Sequence, residues 1–141
     1  MKPLRTLMKR EESYAVHALL AAANTPGIGA AEMAARLQVP PAFLAKVLAK
    51  LGKAGLIVSR QGRRGGVWLQ ARPEDISLLT VIEALSGPLV MDTCQTKPRC
   101  ATEQRQGFCR LKPVWLESSL RMRDLLGSYR LSQLMDKAPA A

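Results

Sequence analysis

Long apolar runs are missing from this sequence of 141 residues. The longest, Ala15 to Ala23, is interrupted by His17, whereas a helix that crosses a bilayer needs about 20 apolar residues. Basic residues precede this run as in a secretory signal, but Glu11 and Glu12 stand where the apolar core of a signal would begin. We therefore expect a cytoplasmic protein with no membrane partner.

Acidic residues are scarce in the first half of the chain. Residues 1–73 hold twelve Lys/Arg and three Asp/Glu, a net charge of +9, whereas residues 74–141 hold nine and eight. An excess of positive charge confined to one half indicates a surface for a polyanion. The length and the 48% of apolar residues are typical of one globular domain.

Motifs for catalysis are also missing. No C-x-x-C pair is present, although a thiol–disulfide enzyme needs one beside a helix N-terminus. The single histidine, His17, lies in an Ala-rich segment typical of a packing helix, which is a poor position for a catalytic base. We therefore expect neither an enzyme nor a small-molecule substrate.

Apolar spacing predicts three helices early in the chain, over 11–23, 30–37 and 41–53. In the third, one face is apolar at positions i, i+3, i+4 and i+7, which predicts a buried face made of Leu44, Val47, Leu48 and Leu51. The opposite side carries a basic stripe, Lys46, Lys50 and Lys53.

After Gly55 the pattern changes to β-prone runs. Residues 56–60 and 66–70 flank a Gly- and Arg-rich tip, which predicts a two-stranded hairpin. A helix follows over 77–86, with Ser77 as its cap and Gly87 at its end. A longer helix is expected over 110–127, with a wide apolar surface that needs a partner, and then a short helical tail over 128–136 and a frayed end over 137–141.

This order predicts a mainly α fold with a small β-hairpin wing: a winged helix-turn-helix DNA-binding domain plus a long C-terminal dimerisation helix. The predicted regions are a winged helix-turn-helix over 1–73, a connecting helix over 74–87, a cysteine-bearing sensor loop over 88–109, and the dimerisation helix with its tail over 110–136.

Double-stranded DNA is the expected partner. The major groove admits one helix, and the first turn of that helix faces the base edges. Arginines at a hairpin tip suit the narrow minor groove of A·T-rich DNA. The candidate DNA-binding residues are Pro41, Ala42, Phe43, Ala45, Lys46, Lys50, Arg60, Arg63 and Arg64.

Three cysteines lie in the predicted loop. Cys94, Cys100 and Cys109 have the spacing C-x5-C-x8-C, which lacks the close pairs typical of zinc sites. Three thiolates fit an iron–sulfur cluster with one ligand missing. Nearby basic residues favour the thiolate form: Lys97, Arg99, Arg105 and Arg110. A thiol redox switch and a loop with no prosthetic group remain alternatives.

Several segments resemble the IscR/NsrR-type (BadM-related) bacterial winged-helix regulators. The segments that carry the resemblance are Tyr14-Ala-Val-His-Ala-Leu-Leu20, Phe43 to Leu51, Ala54-Gly-Leu56, Ser59-Arg-Gln-Gly62, Gly65-Gly66 and Ile76 to Leu85. The resemblance implies a homodimer on a two-fold-symmetric operator, with the long late helix crossing its twin. It also implies an iron–sulfur cluster, of two or four irons, held by the three cysteines near the dimer interface.

The resemblance bears on the fourth ligand as well. Some relatives use a histidine three residues after the third cysteine, but that position is Lys112 here. Others use the first helix of the twin chain, and there this sequence offers His17, with Ser13 and Glu12 nearby. We therefore expect a homodimeric repressor gated by a cluster that senses redox state, nitric oxide or iron. The alternatives are a cysteine-thiol switch without a cluster and a protein-interaction module that binds no DNA.

Overall fold

The computed structural model describes residues 1–96 and 99–136, so the predicted frayed end at 137–141 lies outside the described residues. Its helices and strands follow in the order α1 (Arg10–Asn24), α2 (Ala30–Leu37), α3 (Pro41–Lys53), β1 (Ile57–Arg60), β2 (Gly66–Leu69), α4 (Leu78–Ser86), α5 (Ala101–Gln106), α6 (Leu111–Ser128) and α7 (Leu131–Leu134). Short 3₁₀ turns occupy Pro73–Asp75 and Thr93–Gln95. Within this described part, no helix is both long and apolar enough to cross a bilayer.

Local chemistry explains where the early helices begin and end. The carboxylate of Glu12 accepts a hydrogen bond from the backbone N–H of Lys9 at 3.1 Å and caps the start of α1. Gln38 adopts a left-handed conformation with φ 54° and ends α2 shortly before the two prolines. Pro41 occupies the first turn of α3, where a missing N–H costs nothing.

The core lies where α1, α3 and α4 meet. The predicted apolar face of α3 is buried as expected, and it packs in one cluster with Leu19 of α1 and Val81 of α4. Each buried Leu, Ile or Val contributes about 1.5–3 kcal/mol relative to an exposed one. The helix-turn-helix therefore rests on α4, which connects it to the second half of the chain.

The predicted hairpin is present and antiparallel. Ile57 pairs with Leu69, and Arg60 pairs with Gly66 beside the tip. Val67 also exchanges backbone hydrogen bonds with the segment between α1 and α2: it donates to Ile28 at 2.8 Å and accepts from Gly27 at 3.0 Å. The hairpin is thus fixed to the helical body as well as to itself.

The chain returns to the core at its end. The N–H of Leu131 donates to the carbonyl of Ile76 at 2.8 Å, and both side chains are fully buried. The predicted tail over 128–136 is therefore a short helix, α7, whose first residue belongs to the core. The predicted connecting helix is α4, and the hydroxyl of Ser77 caps it by accepting from the N–H of Thr80 at 3.0 Å.

The prediction of a loop over 88–109 was wrong in part. This segment contains the helix α5 and the 3₁₀ turn at Thr93–Gln95. Cys100 is the N-cap of α5, and Gly107, with φ 82°, ends the helix in a left-handed conformation. This helix has only six residues, most of them polar, so it shows none of the apolar periodicity that identifies a longer helix.

Candidate DNA-binding surface and cysteine segment

The start of α3 presents small exposed residues and one free lysine. Pro41, Ala42, Ala45 and Lys46 are all exposed, as the side of a helix that enters a groove must be. In the part of the chain that the structure describes, Lys46 forms no ion pair. Its charge is available to a phosphate.

Lys50 is already paired. Its Nζ donates to Oε2 of Glu11 on α1 at 2.9 Å, with both side chains partly exposed. The hydrogen bond from Lys50 lowers the pKa of Glu11, which stays ionised at neutral pH. The predicted uniform basic stripe is thus interrupted: a phosphate that contacts Lys50 must share it with Glu11.

Phe43 packs against α1. Its ring meets the Tyr14 ring edge-on, with centroids 5.7 Å apart, and the Arg10 guanidinium lies 4.9 Å from its centroid. It is half-buried against the core. Much of the Phe43 ring is therefore covered by packing, and only the rest of it is accessible to the thymine methyl group that the sequence analysis considered as its contact.

The tip of the hairpin carries two exposed arginines, Arg63 and Arg64. Gly62, with φ 95°, makes the tight turn possible. Arg60 differs, because its guanidinium lies 5.5 Å from the ring centroid of Trp68. Stacking holds Arg60 against the strand, while the two tip arginines extend beyond it.

The helix and the hairpin enclose a common groove. It has a volume of about 760 Å³, and its walls include Ala45 and Lys53 of α3 together with Arg60 and Gly65 of the hairpin. The structure therefore brings the predicted reading helix and the predicted wing to one side of the molecule. Sequence analysis missed the role of Gly27 and Ile28 in holding the wing there, because a turn cluster carries no sign of a distant strand partner.

The three cysteines lie around α5. Cys94 is in the 3₁₀ turn and Cys109 lies two residues before the start of α6, and both are partly buried, whereas Cys100 is exposed. All three are free thiols. Burial, the carboxylate of Asp92 and the charges of Cys109 and Cys100 raise the pKa of Cys94. The thiols are thus close enough to influence one another electrostatically.

The expectation that basic neighbours favour thiolates was wrong for Cys94, since its pKa is raised. The arginines have other contacts: Arg99 donates to the carbonyl of Glu103 at 3.3 Å, and Arg110 lies over the ring of Phe108. Lys97 lies outside the described residues. The charge of Lys112 lowers the pKa of Cys94 without reversing the shift, and Lys112 is itself 3.3 Å from the carboxylate of Glu103.

Three soft thiol donors on one segment fit the chemistry of an iron–sulfur cluster. In residues 1–96 and 99–136, however, no group of three His, Cys, Asp or Glu side chains is arranged to hold a metal ion. His17 is exposed on α1, where its ring lies 6.1 Å from that of Tyr14. The described part of the single chain therefore supplies suitable donors without assembling a complete ligand set.

The segment before Cys94 is fastened to α6. The N–H of Met91 donates to the hydroxyl of Ser119 at 2.7 Å, and the N–H of Leu89 donates to Glu83 of α4 at 2.9 Å. Arg123 of α6 reaches the same carboxylate at 2.6 Å. Residues 89–91 thus connect the cysteine segment to both α4 and α6, a link that the sequence did not indicate.

Comparison with known proteins agrees with this architecture. The family model described as Rrf2, iron-dependent transcriptional regulator, matches residues 8–137. The HTH-type transcriptional regulator IscR of Vibrio vulnificus (strain YJ016) is 33% identical over 125 residues, which cover 86% of this chain and 73% of that protein.

Solved structures agree as well. T. potens IscR has a TM-score of 0.70 and 26% identity, and the match covers 92% of this chain and 85% of that one. CymR, described as the global cysteine regulator of B. subtilis, also has a TM-score of 0.70, at 20% identity, with 92% and 96% covered, which supports the fold. The predicted resemblance and the winged-helix fold are confirmed. The chain belongs to the Rrf2 family and is a DNA-binding transcription regulator rather than an enzyme.

Proposed function

We propose that this chain acts as a homodimeric repressor on a two-fold-symmetric operator. The observation that carries the proposal is that α3 and the wing line one groove, to which α3 contributes Ala45 and the wing Arg60. Lys46 on α3 and Arg63 and Arg64 on the tip lie outside the lining of this groove, but they are exposed and form no ion pair within the described residues. The first turn of α3 would face the base edges, and the lysines and arginines would contact phosphates and the minor groove.

The proposed contact residues follow from this placement. They are Pro41, Ala42, Phe43, Ala45, Lys46, Lys50, Arg60, Arg63 and Arg64. Lys46, Arg63 and Arg64 are expected to contribute most, because the other charged members have partners inside the chain: Lys50 is bonded to Glu11, and Arg60 stacks on Trp68.

Exposed apolar residues on α6 support the homodimer. Five large apolar side chains of this helix are about half exposed or more: Leu111, Val114, Leu116, Leu120 and Leu125. Leu111, Val114 and Leu125 share one face of the helix, and an exposed apolar face favours burial against a second copy. Two copies would present two α3 helices to half-sites about 34–36 Å apart, or a multiple of that distance.

We further propose that Cys94, Cys100 and Cys109 hold an iron–sulfur cluster, with His17 of the partner subunit as the remaining ligand. When bound, such a cluster supplies a link that is sensitive to redox state, nitric oxide and iron supply. The chain's own residues carry the effect onward: the Cys94 segment is hydrogen-bonded to α6 and α4, and α4 packs on α3. The position of this segment would therefore influence the spacing of the two α3 helices.

A specific observation favours a second candidate, a thiol switch without a cluster. The three thiols are free and close enough to raise the pKa of Cys94, yet the described residues hold no complete metal site. Oxidation of two of these thiols by molecular oxygen, which takes up their two protons and two electrons as hydrogen peroxide, would join the sulfurs in a disulfide and rearrange the same segment.

One experiment tests the function and separates the candidates. The chain is purified without air, its iron is counted, its visible spectrum is recorded, and its binding to genomic duplex fragments is measured before and after exposure to air. Iron with visible absorbance, and binding that changes when both are lost, supports the cluster. Iron-free protein whose binding changes with the formation of a disulfide supports the thiol switch. Failure to bind any duplex at low salt in either state would contradict the proposed function.

A further inference from the structure

Residues 1–9, here called the N-terminal arm, precede α1 and lie outside the core. All nine are exposed, and none belongs to a helix or strand. The match to the family model begins at residue 8. The arm contains Lys2, Arg5 and Lys9 and no acidic residue.

The charges of the arm are not used by the fold. Throughout the described ranges, the side chains of Lys2 and Arg5 form no ion pair and no hydrogen bond. Leu4 and Leu7 are also exposed, at 94% and 72%, and pack against nothing in the core. A segment without internal partners contributes little to stability and is free to contact a ligand.

The base of the arm is held next to α3. The backbone N–H of Lys9 donates to Glu12, and the next residue, Arg10, places its guanidinium 4.9 Å from the ring centroid of Phe43. Phe43 belongs to the first turn of α3. The N-terminal arm therefore leaves the helical core beside the first turn of α3, the helix that is proposed to enter the major groove.

Electrostatics agree with this placement. The hydrogen bond from Lys50 lowers the pKa of Glu11, and the charges of Lys46 and Lys9 lower it further. Lys46 on α3 and Lys9 on the arm thus act on the same carboxylate from two elements. The charge of Lys9 at the base of the arm therefore lies near the charges of Lys46 and Lys50 on α3.

We propose that the N-terminal arm binds the phosphate backbone of the duplex next to the groove that α3 enters, and that Lys2 and Arg5 make the contacts. Nine residues span at most about 30 Å when extended, which is enough to cross from the major groove to the neighbouring minor groove. In homeodomains, a variant of the helix-turn-helix, a basic N-terminal arm likewise reaches from the reading helix to the adjacent minor groove. The inference rests on the proposed DNA-binding surface and adds a contact to it.

The arm is poorly suited to a membrane surface. Binding there requires an amphipathic helix with a continuous apolar face. Pro3 lies inside the segment, and nine residues are too few to form a stable helix in water. A polyanion that accepts an extended chain fits the arm better.

Salt dependence tests the arm directly. The wild-type full chain and a full-length double variant, Lys2→Gln with Arg5→Gln, are titrated with a duplex of arbitrary sequence over a range of salt concentrations. Each lost phosphate contact reduces the slope of log K against log salt by about 0.9. The slope of the variant should therefore be smaller by about 1.8. The ratio of wild-type to variant affinity should then fall by about tenfold when the salt concentration rises from about 50 to 200 mM.

A charge-conserving variant, Lys2→Arg with Arg5→Lys, is the matched control and should keep the slope of the full chain. All three proteins should have the same melting temperature, because the arm is not part of the core. If the Gln variant bound DNA fully and with an unchanged slope, the proposed role of the arm would be wrong, and the proposed surface on α3 and the wing would be unaffected. Failure of the full chain to bind any duplex would instead overturn the proposed function and the arm with it.

A last measurement uses vesicles that contain phosphatidylserine. If the full chain bound them, the Gln variant did not, and both bound DNA with equal slopes, the arm would be a membrane contact and the proposal would be wrong.

Discussion

Glu83 on α4 and Arg123 on α6 form an ion pair in which Oε2 and Nη1 are 2.6 Å apart. The same guanidinium donates to the carbonyl of Leu89 at 3.3 Å, and the N–H of Leu89 donates back to Glu83. The pair thus completes a small hydrogen-bond network that joins α4, α6 and residues 89–91, which lead to Cys94. These contacts connect the segment before Cys94 to α4, which packs against α3.

Breaking this pair should destabilise the fold. Replacing Arg123 by Met leaves a partly buried carboxylate without its main partner, and we expect a loss of about 2 kcal/mol in the free energy of unfolding. The matched control is Arg121→Met on the same helix. Arg121 pairs with Glu117 in solvent, so its replacement should cost at most about 0.5 kcal/mol. Equal losses in urea denaturation would contradict a special role for Arg123.

The pair also predicts a dependence on pH. Partial burial raises the pKa of Glu83, but hydrogen bonds from Arg123 and Leu89 and the charge of Arg123 outweigh it, and the net pKa is lowered. A lowered pKa in the folded state stabilises the protein above the ordinary pKa of glutamate, about 4.3, and this contribution is lost as the pH falls through the folded-state value. The stability of the wild type should therefore fall more steeply than that of Glu83→Gln below about pH 4.3.

The wing should contribute two phosphate or minor-groove contacts. Replacing Arg63 and Arg64 by Ala should reduce the slope of log K against log salt by about 1.8. The variant Arg63→Lys with Arg64→Lys keeps the charge and serves as the control, with a slope close to that of the wild type. If the alanine variant kept the wild-type slope, the wing would have to be removed from the contact surface.

Two glycines near the groove should respond oppositely to alanine. A Cβ on Gly66 would overlap the carbonyl oxygen of Gly27, where the wing meets the body, and we expect a loss of about 1–3 kcal/mol. A Cβ on Gly52, within α3, meets nothing within 4 Å, so alanine there should stabilise the helix by about 0.5–1 kcal/mol. Chemical denaturation measures both. A Gly66→Ala protein as stable as the wild type would show that the wing does not require this close contact.

The apolar surface of α6 should control the oligomeric state. Replacing Val114 and Leu125 by Glu places two charges on exposed apolar positions, and light scattering should then show a monomer. Asp124→Asn, a substitution at an exposed polar position of the same helix, should leave the dimer intact. Wild-type protein that is monomeric at micromolar concentration would contradict the dimer itself.

The third cysteine should be required for bound iron. Cys109→Ser, purified without air, should lose the visible absorbance and most of the iron found in the wild type, because serine is a much poorer ligand for iron than a thiolate. Ser118→Ala, which removes a hydroxyl bonded within α6, should retain both. Full colour in the Cys109→Ser protein would exclude this residue as a ligand.

The sequence by itself determined where the hairpin lies and which segments are helices, with the exception of α5, whose six residues lie in the segment predicted as a loop. Their signals are local: the apolar spacing from Leu44 to Leu51, the cap at Ser77 and the turn glycine at Gly62 act within a few residues of the chain. The exposed charges at Lys46 and at the hairpin tip could be predicted for the same reason, since the face opposite a buried stripe must face solvent.

Only the tertiary structure decided which of those side chains remain available. Lys50 is bonded to Glu11, Phe43 packs beneath Arg10, and Glu83 meets Arg123 across forty residues of chain. Such pairs depend on how helices cross and where the chain returns, and no short-range pattern encodes those angles. For the same reason, the sequence placed three thiols on one segment, while the tertiary structure decided the burial and the nearby charges that raise the pKa of Cys94.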